Sequence, residues 1–111
     1  MQYRVLGRTG IRVSVISFGA GPVSGLITGN DVEAQHAVVA AAIEAGIIWF
    51  DTAPGYGQGQ SESNLGRVLS ERHSSEPIHI ATKVRVTLDS SVSTADFVRR
   101  SVEEKIGRAH V

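Results

Sequence analysis

The chain contains no cysteine. That excludes a disulfide framework, a thiolate zinc site and a thiol nucleophile. It has no excess charge of either sign: Lys+Arg is 11, Asp+Glu is 11, and the formal net charge is zero. Nothing electrostatic points to nucleic acid or to an anionic membrane surface as a partner. No apolar run approaches the roughly 18 residues of a membrane-crossing helix. Charges interrupt the opening Met1-Gln2-Tyr3-Arg4-Val5-Leu6-Gly7-Arg8, so it lacks the apolar core of a signal peptide. A cytoplasmic location is the expectation. At 111 residues there is room for one small domain, and 41% hydrophobic with 20% charged residues is a globular composition.

Glycine is plentiful, at 12 residues, and its placement marks the turns. Residues 3–13 alternate apolar and polar side chains around Gly7-Arg8-Thr9-Gly10, which predicts a hairpin. The apolar run 13–18 reads as a strand buried on both faces, ending at Gly19. After a loop over 19–29, Asn30 with Glu33 offers a capping pair for a helix over 31–45, with Val38, Ala41, Ala42 and Ala45 on one face. Gly46 suits a left-handed C-terminal cap. A second strand, 47–50, ends at Asp51, and a Gly-rich loop covers 52–60. Ser61 opens a helix with Leu65, Val68 and Leu69 inward. A third strand, 78–81, ends at Thr82-Lys83. The polar stretch 87–93 leads to a last helix capped by Ser93 or Thr94, with Phe97, Val98 and Val102 inward.

Strands alternating with helices predict an α/β fold of parallel βαβ units. Residues 19, 51 and 83 follow one another at intervals of 32 (51 − 19 and 83 − 51), about one βα unit. The carboxyl ends of parallel strands form the ligand-binding face, so Asp51 and Lys83 should meet there. Alone they could be a plain ion pair. Tyr56 adds a third group, set between Gly55 and Gly57 in a loop with no need of a core aromatic. It is either a binding platform or an acid/base. A free phenol titrates near 10 (about that value), and a neighbouring ammonium favours the phenolate. A tyrosine beside a lysine that an aspartate holds can therefore give a proton to a carbonyl oxygen. No metal-ligand cluster or nucleophile accompanies the three, so hydride chemistry on a carbonyl requires a cofactor. Gly19-Ala20-Gly21-Pro22-Val23-Ser24-Gly25 is close to the dinucleotide fingerprint of a Rossmann domain. However, Ser24 stands at its sixth position, and the next helix starts too late to receive a pyrophosphate.

Leu6-Gly7-Arg8-Thr9-Gly10, Gly46-Ile47-Ile48-Trp49-Phe50-Asp51-Thr52-Ala53, Tyr56-Gly57, Ser61-Glu62-Ser63-Asn64-Leu65-Gly66 and Ala81-Thr82-Lys83-Val84, in that order and spacing, resemble the N-terminal part of an aldo-keto reductase, from Met1 to about Glu104. The resemblance implies a partial (β/α)8 TIM barrel: a floor-plugging hairpin and the first three βα units, with the barrel not closed. It implies an oxidoreductase that reduces small-molecule aldehydes or ketones with NADPH, less often NADH. Tyr56 matches the general acid/base, Lys83 the lysine that makes the phenol acidic, and Asp51 the aspartate paired with that lysine and near the cofactor ribose. Gly19, Ala20, Gly21, Pro22 and Val23 match the backbone that approaches the nicotinamide. Ser61 and Glu62 match a structural pair that caps the helix carrying Leu65. No metal is implied. A cofactor-binding regulatory subunit associated with channels is the family's non-enzymatic alternative.

The family's catalytic histidine ends a fourth strand, one further interval on and beyond Val111. His36, His73, His79 and His110 do not replace it. The last residues, Lys105-Ile106-Gly107-Arg108-Ala109-His110-Val111, depart from the family pattern and resemble a translated sequencing adapter. The expectation is a family segment over 1–104, a foreign tail over 105–111, and a fragment that is inactive and aggregation-prone by itself.

Overall fold

In a computed structural model, the described residues are 1–72, 74–87 and 91–109. His73 and His110 lie outside them. The hairpin forms as expected: β1 (Tyr3–Val5) pairs antiparallel with β2 (Arg12–Ser14). Three further strands make a parallel sheet, β3 (Phe18–Gly19), β4 (Trp49–Asp51) and β5 (His79–Ala81), with β4 in the middle. The helices are α1 (Val32–Glu44), α2 (Gln60–Ser70) and α3 (Thr94–Ala109). The two sheets are separate and unclosed.

The run 13–18 is not one buried strand. It is divided between the two sheets, and Val15 and Ile16 are 50% and 57% exposed. The cause is Ser14, whose Oγ donates to the Ile16 carbonyl at 2.7 Å and accepts from the Ile48 N–H at 3.1 Å. A buried hydroxyl that needs both partners bends the chain out of the hairpin ladder.

Helix α1 is capped by Asp31 and not by Asn30: Asp31 Oδ1 accepts from the Ala34 N–H at 2.9 Å. A cap oxygen reaches the N–H three residues on, and the helix starts one residue later than the Asn30–Glu33 pairing requires. Its buried face is Gln35, Val39 and Ala42; Ala41 and Ala45 are exposed. Val39, Ala42, Phe50, Leu65, Val68 and Leu69 belong to one core with Ala20 and Ile27, and the Phe18 ring tilts onto Phe50 at 5.3 Å between centroids. Ser93 caps α3 by accepting from the Asp96 N–H at 3.1 Å. Of its expected inward residues only Phe97 is half-buried; Val98 and Val102 are exposed. The buried polar position is Lys105, whose Nζ donates to the Ser101 Oγ and carbonyl. The helix continues to Ala109, through most of the segment expected to be foreign.

Gly46 ends α1 as expected, at φ +85°. Its N–H donates to the Ile43 carbonyl and that of Ile47 to Ala42, both at 2.9 Å, the paired bonds of a left-handed helix stop. The Tyr3 hydroxyl donates to the Gly46 carbonyl at 3.0 Å and ties the hairpin to this corner. A methyl group on Gly46 would lie 2.8 Å from both the Tyr3 hydroxyl oxygen and Met1 Cβ. Gly46→Ala is therefore expected to destabilise the fold by at least about 1–2 kcal/mol from backbone handedness alone. A lowered urea-unfolding midpoint at unchanged slope reads this out.

Candidate active site

The three strands end in register. Gly19 pairs with Asp51, and Asp51 with Ala81. The ladder continues one step further, with Ala20 N–H donating to the Asp51 carbonyl and Thr52 N–H to the Ala81 carbonyl, both at 2.8 Å. Asp51 thus leaves the middle strand at the carboxyl end of the sheet, and Lys83 arrives beside it from β5. Lys83 Nζ donates to Asp51 Oδ1 at 2.7 Å and Oδ2 at 2.9 Å, to the Thr52 carbonyl at 3.0 Å and to the Tyr56 hydroxyl oxygen at 3.4 Å. It also stands 5.1 Å from the centre of the Tyr56 ring. An ammonium has three N–H groups. Here the carboxylate, the carbonyl and the phenol oxygen take them all.

The Asp51 carboxylate raises the pKa of Lys83 above its ordinary 10.5; desolvation opposes this, and the Tyr56 hydroxyl adds to it. A raised lysine pKa contributes stability that is fully present below the unfolded value and is lost as pH rises through the folded value. Lys83 therefore keeps its charge throughout the neutral range, and the stability that its pairing with Asp51 contributes is lost only as pH rises through a folded value above 10.5. In a titration of ¹⁵N-labelled lysine side chains, Lys83 should titrate above 10.5, and Asp51→Asn should bring it down.

Tyr56 sits at the start of a tight turn, Tyr56–Gly59, and its N–H donates to the Ala53 carbonyl at 3.1 Å. Gly57, Gln58 and Gly59 then run left-handed, at φ 58°, 54° and 90°. This turn swings the phenol back over the strand ends. A methyl placed on Gly21 would lie 3.8 Å from Tyr56 Cε2, whereas one on Gly19 would meet nothing within 4 Å. Gly21 therefore faces the ring across room for a methyl group, and Gly19 faces open space. Ala20 is buried, and Pro22 and Val23 stand out in solvent, where the Gly25 N–H closes the turn onto the Pro22 carbonyl at 3.1 Å.

Ser61 and Glu62 do not cap α2. The cap residue is Gly59, with no side-chain cap bond. Both side chains point instead into the sheet end and are fully buried. Ser61 Oγ donates to the Ala20 carbonyl at 2.7 Å and is 2.7 Å from Thr52 Oγ1, which then must be the donor between the two hydroxyls. Thr82 Oγ1 donates to Glu62 Oε1 at 2.6 Å. The first turn of α2 thus holds the residue after each of β3, β4 and β5. Sequence reasoning missed this role of Thr52 and Thr82; the repeated Thr directly after two strands was the available signal. His36 lies far from this in α1, against Glu71 at 3.2 Å. His79, with Arg12 and Glu76, lines an open cavity of about 480 Å³ at the amino ends of the strands, away from the trio.

An α/β sheet with a lysine, an aspartate and a tyrosine converging at its strand ends defines a class of proteins that work at that face. Comparison with known proteins specifies it further. The aldo/keto reductase family profile matches residues 15–111. L-galactose dehydrogenase of Arabidopsis thaliana is 34% identical over 109 residues, covering 97% of this chain and 34% of that protein. A probable voltage-gated potassium channel subunit beta of Oryza sativa subsp. japonica is 38% identical over 71 residues, 64% of this chain and 21% of that one. The holo form of an aldo-keto reductase from Bacillus halodurans superposes with a TM-score of 0.78 at 26% identity, covering 100% of this chain and 37% of that structure. The chain belongs to the aldo/keto reductase family of oxidoreductases. It spans between 21% and 37% of the length of these relatives. Among the described residues no helix is long and apolar enough to cross a membrane.

Proposed function

We propose that this chain is the N-terminal part of a (β/α)8-barrel oxidoreductase that moves a hydride between NADPH, or NADH, and the carbonyl carbon of an aldehyde or ketone. Tyr56 is the general acid/base of that reaction. One observation carries the reading: Lys83 Nζ is clasped by both Asp51 oxygens and donates to the Tyr56 hydroxyl oxygen at 3.4 Å.

Because the phenol oxygen accepts from Lys83, its own O–H is turned away from the ammonium and is free to reach a substrate oxygen. The hydroxyl donates its proton as negative charge develops on that oxygen. The ammonium stabilises the phenolate left behind. Asp51 and the Thr52 carbonyl keep the ammonium in place, so no reorganisation is needed when the charge moves. The open space beside Gly19 and the methyl-sized room between Gly21 and the Tyr56 ring leave the backbone of these glycines accessible to a planar ring. Gly19, Ala20 and Gly21, with Asp51 toward the ribose and Pro22 and Val23 at the rim, would hold the nicotinamide there. When bound, that cofactor supplies the hydride.

In the whole protein, oxidation of NADPH by a simple aldehyde, followed through nicotinamide absorbance, should proceed at an enzymatic rate. Similarity to the channel subunit supports a second reading, a regulatory subunit that binds cofactor. In that case cofactor would bind with no turnover.

A further inference from the structure

We propose that Arg67, on the face of α2 away from the trio, is a positioning residue for Tyr56. This rests on the reading of Tyr56 as the proton donor. Arg67 Nη2 donates to Gln35 Oε1 at 2.6 Å and lies 3.4 Å from Asn64 Oδ1. It thereby fixes which way two amides face. The Gln35 side chain, fully buried on α1, points its Nε2 at the Gly29 carbonyl at 2.8 Å and the Leu26 carbonyl at 3.2 Å. Asn64 points its Nδ2 at the Ile27 carbonyl at 2.8 Å and the Gly29 carbonyl at 3.1 Å. Two helices therefore grip residues 26–29 through carbonyls alone, and one guanidinium sets the polarity of both grips. An amide flipped end for end would turn its oxygen toward those carbonyls and leave its NH₂ facing Arg67, so the orientation is all-or-none.

The gripped segment carries Thr28. A methyl on Gly57 would lie 2.9 Å from Thr28 Cβ and 3.1 Å from Thr28 Cγ2. Thr28 is thus pressed against the first of the three left-handed residues that follow Tyr56. Gln58 has a Cβ and a positive φ, a conformation that persists only where its surroundings impose it. The wall formed by Thr28 is one such surrounding. Arg67 orients Gln35 and Asn64, they hold Thr28, and Thr28 holds the turn that keeps the Tyr56 hydroxyl over Lys83.

Two NOEs in the whole protein report this directly: the Thr28 methyl to the Gly57 α protons, and the Tyr56 ring to the Lys83 ε protons. Arg67→Met should weaken both and lower kcat about tenfold or more, as displacement of a catalytic group does, with KM for the carbonyl substrate little changed. Arg67→Lys, which can still donate to both amide oxygens, should restore both readouts. Thr28→Gly leaves Arg67 and its amides intact and should weaken the Tyr56–Lys83 NOE in the same way. The proposal is overturned if that NOE is unchanged in Arg67→Met or in Thr28→Gly. If it weakens in both variants although the parent protein binds cofactor without turnover, positioning stands and the reading of Tyr56 as proton donor fails.

Discussion

Tyr56→Phe is expected to lower kcat/KM for carbonyl reduction by about 10²–10⁴, the usual contribution of a positioned general acid. Phenylalanine keeps the ring beside Gly21 and removes only the hydroxyl that accepts from Lys83. Cofactor affinity, measured by quenching of protein fluorescence on NADPH binding, should therefore be little changed. Loss of turnover together with loss of cofactor binding would mean that Tyr56 is a binding platform, the alternative that its glycine-flanked setting left open.

Lys83→Met is expected to lower kcat by about 10²–10³, the effect of removing one preorganised charge stabiliser. Methionine has a comparable apolar stem and no donor. The phenolate formed by proton transfer then has no cation beside it, and the Asp51 carboxylate loses its partner. Asp51→Asn should do less harm, because the Thr52 carbonyl still accepts from Lys83 at 3.0 Å. The order Lys83→Met below Asp51→Asn in kcat is the feature to measure. The reverse order would show that Asp51 acts on substrate or cofactor itself and not through the ammonium.

The trio was legible in the sequence because each member is placed by something local. Asp51 ends one short apolar strand and Lys83 stands two residues past the next, 32 residues on, and glycines isolate Tyr56 in a loop. Parallel register then brings the strand ends together with no further information. Helix boundaries were legible to within one residue, since Asn30 and Asp31 are both good caps and only the bond to Ala34 separates them. The division of the run 13–18 between two sheets is not legible, because apolar character does not show which sheet a residue serves; the decisive group is Ser14, with its two partners. For Ser61 and Glu62 the family resemblance implies a local helix cap. Their real partners, Ala20, Thr52 and Thr82, are contributed by three different strand ends. The Gln35, Asn64 and Arg67 network was invisible for the same reason: its bonds run between two helices and a loop, at separations that no periodicity marks.

The central claim is that Tyr56 and Lys83 act as one proton-donating unit. A double-mutant cycle on kcat/KM with Tyr56→Phe, Lys83→Met and the pair tests it most directly. Once the hydroxyl is gone the ammonium has no phenolate to stabilise, so the double variant should be no slower than Tyr56→Phe alone. Losses that multiply, with the double variant slower by the product of the two single effects, would contradict the account.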